Sequence, residues 1–312
     1  MIMGRILCQS QKKVPHNRIG DVKMAQGDLA GALANYQTSL AIADRLAKSD
    51  PGIGNVGWQR DLSISYERIG DVKTAQGDLA AALTSYQAAL AIRERLAKAA
   101  PGNAGWQRDL SVSYDKIGNV KTDQRDLAGA LKAYQDGLAI AERLAKSDPG
   151  NAGWQRDLAA SHERIGNVQQ AQGDLAGALA SYEASHAICE RLAKADPGNA
   201  DWQRDLSVSY ERIGDVKTAQ GDLAGALKAY EDSLAIRDRL AKSDPGNAVW
   251  QRDLAIGYSK VASIQMKQGR RDDALKALRQ GRQIIEQLMR RSPDNPTLRR
   301  DLTWFESQIG SQ

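Results

Sequence analysis

Three histidines (His16, His162, His186) and two cysteines (Cys8, Cys189) are the side chains of this sequence best suited to nucleophilic, general-base or metal-ligand chemistry. Their spacing supports none of it. No His-x3-His or Cys-x2-Cys pair is present, and no glycine-rich phosphate loop follows a strand-like run. His16 and His162 fall where Tyr66 stands in a repeating pattern, and His186 falls where Leu90 stands, so all three read as substitutions at packing positions. Cys189 aligns with Arg93, Ala141 and Arg237, which suggests an interchangeable surface site, and nothing beside it would lower a thiol pKa. Cys8 is the cysteine more open to adventitious oxidation. Two cysteines far apart in an array make no disulfide framework and fit a reducing compartment. The chain is therefore expected to be no enzyme and to need no cofactor or metal.

The pattern behind those alignments is a repeat. Trp58, Trp106, Trp154, Trp202 and Trp250 recur every 48 residues, and Trp106–Gly153 overlays Trp202–Val249 with only 10 differences. Such a period marks a stacked array, in which each unit touches its neighbours and none has a private core. The tryptophans could form a stacking ladder for bases or a flat ligand. The structural reading is stronger: Trp58 opens an apolar helical stripe and fills the joint beside the preceding unit, near Leu46.

One unit shows how the chain folds. Trp58, Leu62, Tyr66 and Ile69 lie on one stripe of a helix. Gly77 supplies the conformation that ends it, and Asp78 caps the next. Leu79, Ala82, Leu83, Tyr86, Ala89, Leu90, Ile92 and Leu96 form the second stripe. Pro101-Gly102-Asn103 stops that helix, and Asn103 can cap the next unit. Short turns force antiparallel neighbours. The reading gives helix pairs at 15–49, 57–99, 105–147, 153–195, 201–243 and 249–291, with a capping helix over 296–312. Arg125 replaces the turn glycine of its unit, at a cost of about 1 kcal/mol for a left-handed residue.

Hydrophobic content is 42%, rich in alanine and with one Phe, which suits thin helix–helix packing. Net charge is +5, but the unit Trp58–Gly105 carries six basic against five acidic side chains, so the excess lies at the ends. No basic stripe runs along the body, so no nucleic acid is expected. No run approaches ~20 apolar residues, so no membrane span is expected either. The N-terminus lacks a secretory signal. A cytoplasmic, soluble protein follows, with residues 1–14 frayed or disordered.

Tyr66-x2-Ile69-Gly70, Gly77-Asp78, Ala82-x3-Tyr86 and Ala89 resemble the tetratricopeptide repeat, and the set recurs along residues 15–309. The 48-residue unit is longer than the usual 34, and Lys73 stands where the family has Tyr; it is similar to long-helix variants such as kinesin light chains. The resemblance implies an all-α, right-handed α–α superhelix, a TPR-like solenoid of antiparallel helix pairs. Gly70 and Ala82 would sit where paired helices approach closest.

In that family, first-helix side chains line a concave groove. The resemblance therefore places two oxygen-rich rows on the inner wall: Glu67, Asp115, Glu163 and Glu211, then Asp71, Asn119, Asn167 and Asp215. Arg60, Arg108, Arg156 and Arg204 lie two turns earlier, toward one rim. Such a groove would receive an extended or helical protein or peptide segment bearing spaced Lys or Arg. The competing reading pairs these acids with Arg68-type side chains of the next unit, so that the rows neutralise themselves. The expected function is a non-catalytic protein-interaction scaffold, an adaptor or the sensor half of a larger system. The alternative is a self-assembling module that joins head to tail.

Overall fold

Glycine, aspartate and asparagine punctuate this sequence at fixed intervals, and the backbone follows them. The computed structural model describes residues 16–49 and 56–310; the reading of residues 1–14 as disordered falls outside them. Among the described residues there are thirteen helices and no strand. In order they are α1 (16–25), α2 (Leu29–Ser49), α3 (Val56–Ala75), α4 (Leu79–Ala99), α5 (Ala104–Asp123), α6 (Leu127–Ser147) and α7 (Ala152–Ala171). Then follow α8 (Leu175–Ala195), α9 (Ala200–Gln220), α10 (Leu223–Ser243), α11 (Ala248–Lys267), α12 (Arg271–Arg291) and α13 (Pro296–Gly310). The all-α class of antiparallel helix pairs is the one formed. The chain divides into two units, Met1–Ser161 and His162–Gln312. Within each, helices adjacent in sequence pack on one another, from α2 through α6 in the first and from α8 through α13 in the second.

Each turn inside a pair is built from three residues. Gly77 adopts φ 78°, open to glycine and strained for other residues. Its amide donates to the Thr74 carbonyl, and the Asp78 amide donates to the Lys73 carbonyl at 2.9 Å, which satisfies the last carbonyls of α3. Asp78 then caps α4 by accepting from the Ala81 amide at 3.1 Å. The lysine in the family's tyrosine slot also serves this turn: Lys121 lies 2.8 Å from the capping Asp126, and Lys73 3.6 Å from Asp78. Arg125 holds the same turn at φ 63°, the one non-glycine residue with positive φ among those described.

Between pairs the cap is an asparagine. Asn103 accepts from the Trp106 amide, and Asn199 from the Trp202 amide, each at 3.1 Å. The same cap opens α7 from Asn151, α11 from Asn247 and α13 from Asn295.

Packing explains the small residues. A Cβ on Gly70 would lie 2.5 Å from the Tyr86 ring, so only glycine lets that buried tyrosine lie across α3. The same Tyr86, with Ala82, packs on Ile117 and Val120 of the next first helix. Ala178 and Tyr182 repeat the joint on Ile213 and Val216. The last helix closes the second unit: Leu298 and Phe305 of α13 lie on Ala274, Leu278 and Leu288 of α12.

Candidate interaction surface

The candidate residues of the first helices recur at one 48-residue spacing, and most can be followed to their partners. The arginine row is a ladder between successive pairs. Arg60 Nε donates to Asp109 at 2.6 Å, Arg108 to Asp157 at 2.5 Å, Arg204 to Asp253 at 2.6 Å and Arg252 to Asp301 at 2.6 Å. The carboxylates hold these guanidinium pKa values above their ordinary range. Arg156 is engaged as well.

The acidic rows are compensated from inside the chain. Glu67 pairs at 2.6 Å with Arg93, a buried guanidinium that also donates to the Asp109 carbonyl and to Ser113 Oγ. Asp71 accepts from Tyr86 Oη at 2.7 Å and from Lys116 Nζ of the next pair at 2.6 Å. Burial, with this carboxylate close by, pushes the Tyr86 phenol well above its ordinary pKa. The fifth pair repeats the arrangement: Glu211 meets the buried Arg237, while Asp215 accepts from Tyr230 Oη and from Lys260 Nζ, each at 2.6 Å. In the fourth pair Arg212 of the next first helix reaches Glu163 at 3.0 Å, and Asn167 accepts from Tyr182 Oη at 2.7 Å. Asn119 accepts from Tyr134 Oη at 2.6 Å, and Asp115 is engaged.

Four sequence positions explain this pattern: the two row positions, the Arg93 position, and the Arg68 position of the following pair. Where the Arg93 position is arginine, the pair carries Glu and Asp and the next supplies lysine: Glu67, Asp71, Arg93, Lys116 and again Glu211, Asp215, Arg237, Lys260. Where it is alanine or cysteine, the second acid is asparagine and the Arg68 position of the following pair is arginine in the sequence: Asp115, Asn119, Ala141, Arg164 and again Glu163, Asn167, Cys189, Arg212. The first set is Asn17, Asp21, Ala43 and Arg68, with Arg68 3.6 Å from Asp21. The last set is Ser259, Ser263, Ile285 and Gln308, with no charge at all. Every set sums to zero. Burial enforces this, because an uncompensated charge in a joint costs several kcal/mol.

This corrects the reading of Cys189. Its position is interior: Arg93, Ala141, Cys189 and Arg237 are all buried. The signal that could have found the sets was already in the sequence, because four of the ten differences between the two overlaid copies fall on them.

Within each unit an apolar position lies between the paired rows, which the sequence reading passed over. Ile64, Val112, Ala160, Val208 and Ile256 hold one position of successive first helices, each half-buried, and Trp304 holds it in α13, 42% exposed. The repeated tryptophans serve the joints instead. Trp58 and Trp106 pack on a cluster of Ala43, Ala47, Leu62, Ile92 and Leu96, and Trp154 packs on Leu110, Ile140 and Leu144. The histidines are also packed: His16 lies 3.3 Å from Asn35 Oδ1, while His186 meets Ser209 Oγ at 2.9 Å and the Tyr210 ring. Among the described residues no three His, Cys, Asp or Glu side chains converge to hold a metal, and no helix is long and apolar enough to cross a membrane.

Residues 64–100 and 110–149 match the family model described as Tetratricopeptide repeat. The other copies carry the same residues at the same 48-residue spacing. The two matched stretches are tetratricopeptide repeats. Solved structures agree on the fold. BtubC (BKLC) from P. vanneervenii aligns at 18% identity over 86% of this chain and 94% of that one, with a TM-score of 0.65. A Podosopora anserina putative kinesin light chain with nearly identical TPR-like repeats aligns at 15% identity over 74% and 98%, TM-score 0.56. The apo form of RapI aligns at 13% identity over 88% and 99%, TM-score 0.54. No curated protein matches the chain in sequence. Tetratricopeptide arrays of this kind typically present a non-catalytic binding surface.

Proposed function

We propose that this array is a non-catalytic protein-interaction scaffold that receives an extended or helical partner segment along its first-helix face. The observation that carries the reading is the apolar position repeated within each unit, by Ile64, Val112 and Ala160 in the first and by Val208, Ile256 and Trp304 in the second. It persists at partly exposed positions while the charges on either side cancel. A surface that alternates apolar side chains with closed ion pairs favours a partner that buries apolar groups at matching intervals. Near-identical sites in succession strengthen such binding through effective concentration.

The rows Glu67, Asp115, Glu163, Glu211 and Asp71, Asn119, Asn167, Asp215, with Arg108, Arg156 and Arg204, form the polar walls of that surface. A segment with spaced Lys or Arg would compete at the half-buried pairs, Lys116–Asp71 and Arg212–Glu163, and leave the buried Arg93 and Arg237 in place. Asn119 and Asn167 are the exposed members of the rows and would make the first polar contacts.

The deciding experiment is affinity capture by the intact chain beside a Val208→Asp/Ile256→Asp variant whose helical content is unchanged. Partner recovery should fall in the variant and persist in a chain carrying Lys146→Glu, on the exposed side of a second helix. Equal recovery by all three chains would remove the first-helix face as the site.

A further inference from the structure

The array treats its two terminal helices differently. At the last joint the charge set has been replaced, Ser259 and Ser263 standing for the acids and Gln308 for the cation, and Arg282 stands for the leucine of most other second helices, while the Arg252–Asp301 pair is kept. At α1 the residues that would receive a preceding pair are kept. Arg18, Ile19 and Val22 are the residues that internal first helices use to receive the pair before them, as Arg68, Ile69 and Val72 do. In α3, Ile69 and Val72 are 8% and 0% exposed beneath Ala32 and Tyr36, and Val261 and Ile264 are covered in the same way by Ala226 and Tyr230. In α1, Ile19 and Val22 are 45% and 56% exposed. The matching cations reach back to a carboxylate, as Lys116 does to Asp71 and Lys260 to Asp215, whereas Arg18 is exposed.

We propose that the Arg18–Ile19–Val22 face of α1 docks a helix pair of the same build carried by another protein. Its second helix lays a small residue and a tyrosine four positions later over Ile19 and Val22. A carboxylate on its first helix meets Arg18. The occupant follows from how the chain covers this residue triple elsewhere and from the charge left over at Arg18. A second copy cannot supply that face through its last pair, because α13 already lies on α12 through Leu298 and Phe305. Residues 1–15 bring Arg5, Lys12 and Lys13 and no carboxylate. This surface is separate from the repeated apolar position and stands or falls independently of it.

The natural probe is a synthetic peptide of residues 16–49, the segment whose Asp21, Ala32 and Tyr36 receive Arg68, Ile69 and Val72 in the chain. A side-chain cross-link between positions 37 and 41, both exposed, holds its second helix. Titrated into the isotopically labelled full chain, it should shift the resonances of Arg18, Ile19 and Val22 saturably. Arg18→Glu should weaken that binding on the order of tenfold, as loss of one charge pair at an interface does. A second, folding-independent readout is a chain lengthened by residues 58–105 inserted between Leu7 and Cys8. There, amide exchange at Ile19–Val22 should slow toward the rates of Ile69–Val72. Absence of both effects overturns the proposal. So does binding indifferent to Arg18→Glu, protection of Ile19 and Val22 by self-association of the unmodified chain, or exchange at Ile19–Val22 that speeds up when residues 1–13 are deleted.

Discussion

Arg125 occupies a left-handed turn that Gly77, Gly173 and Gly221 fill elsewhere, with φ 63° against their 78°, 81° and 82°. Its Cβ makes that conformation costly, and the turn is otherwise unchanged. Arg125→Gly should therefore raise stability by about 1 kcal/mol, read as a shift of the denaturant midpoint at constant slope. His186 poses a pH question at the same scale. It stands where other second helices carry leucine, and burial lowers its pKa below the ordinary 6.5. Glu190, Glu183 and Asp232 oppose that shift and Lys194 adds to it. The folded state thus favours the neutral ring. Its stabilisation is present above the unfolded pKa and is lost as pH falls through the lower folded value. His186→Leu should remove this component, so the stability difference between variant and wild type should widen below about pH 6.5. A difference flat from pH 8 to pH 5 would contradict it.

At the scale of helices, the joints are governed by charge balance as well as by apolar contact. Arg237 is 5% exposed and meets Glu211, and the set closes with Asp215 and Lys260. Removing one member strands its opposite; removing a matched pair converts the joint to the set used by Glu163, Asn167, Cys189 and Arg212. Arg237→Ala and Asp215→Asn should each destabilise the chain, and the double variant should cost less than their sum. A coupling energy of about 1–3 kcal/mol is expected in a double-mutant cycle. Strict additivity would mean that the four residues do not act as one set. The same balance explains why the acidic rows looked like a binding site. Read along one helix they are a run of carboxylates; their counter-charges sit on a second helix and on the next pair.

For the molecule as a whole, stability is a sum over neighbours. Phe305 is the most buried apolar side chain of α13, and its ring would lie 2.5 Å from a Cβ on Gly281. Phe305→Ala should cost the local structure about 3–5 kcal/mol and speed amide exchange in α12 and α13. Exchange in α4 and α5 should stay as it was, because no contact carries the loss that far. A uniform rise in exchange along the chain would show that the array behaves as one cooperative body.

The period, the pairing of helices, the turn glycines and both kinds of cap were legible without coordinates, because each is set by residues within a few positions of one another. The strain at Arg125 was legible for the same reason. Packing between pairs decided the rest. It buried the position shared by Arg93 and Cys189, closed the acidic rows with cations 26 and 45 residues away, and left Ile19 and Val22 uncovered. Those outcomes depend on which faces of successive pairs meet. A linear pattern of apolar residues specifies that a face is buried, but the charge that completes it comes from a neighbour found only by folding the chain.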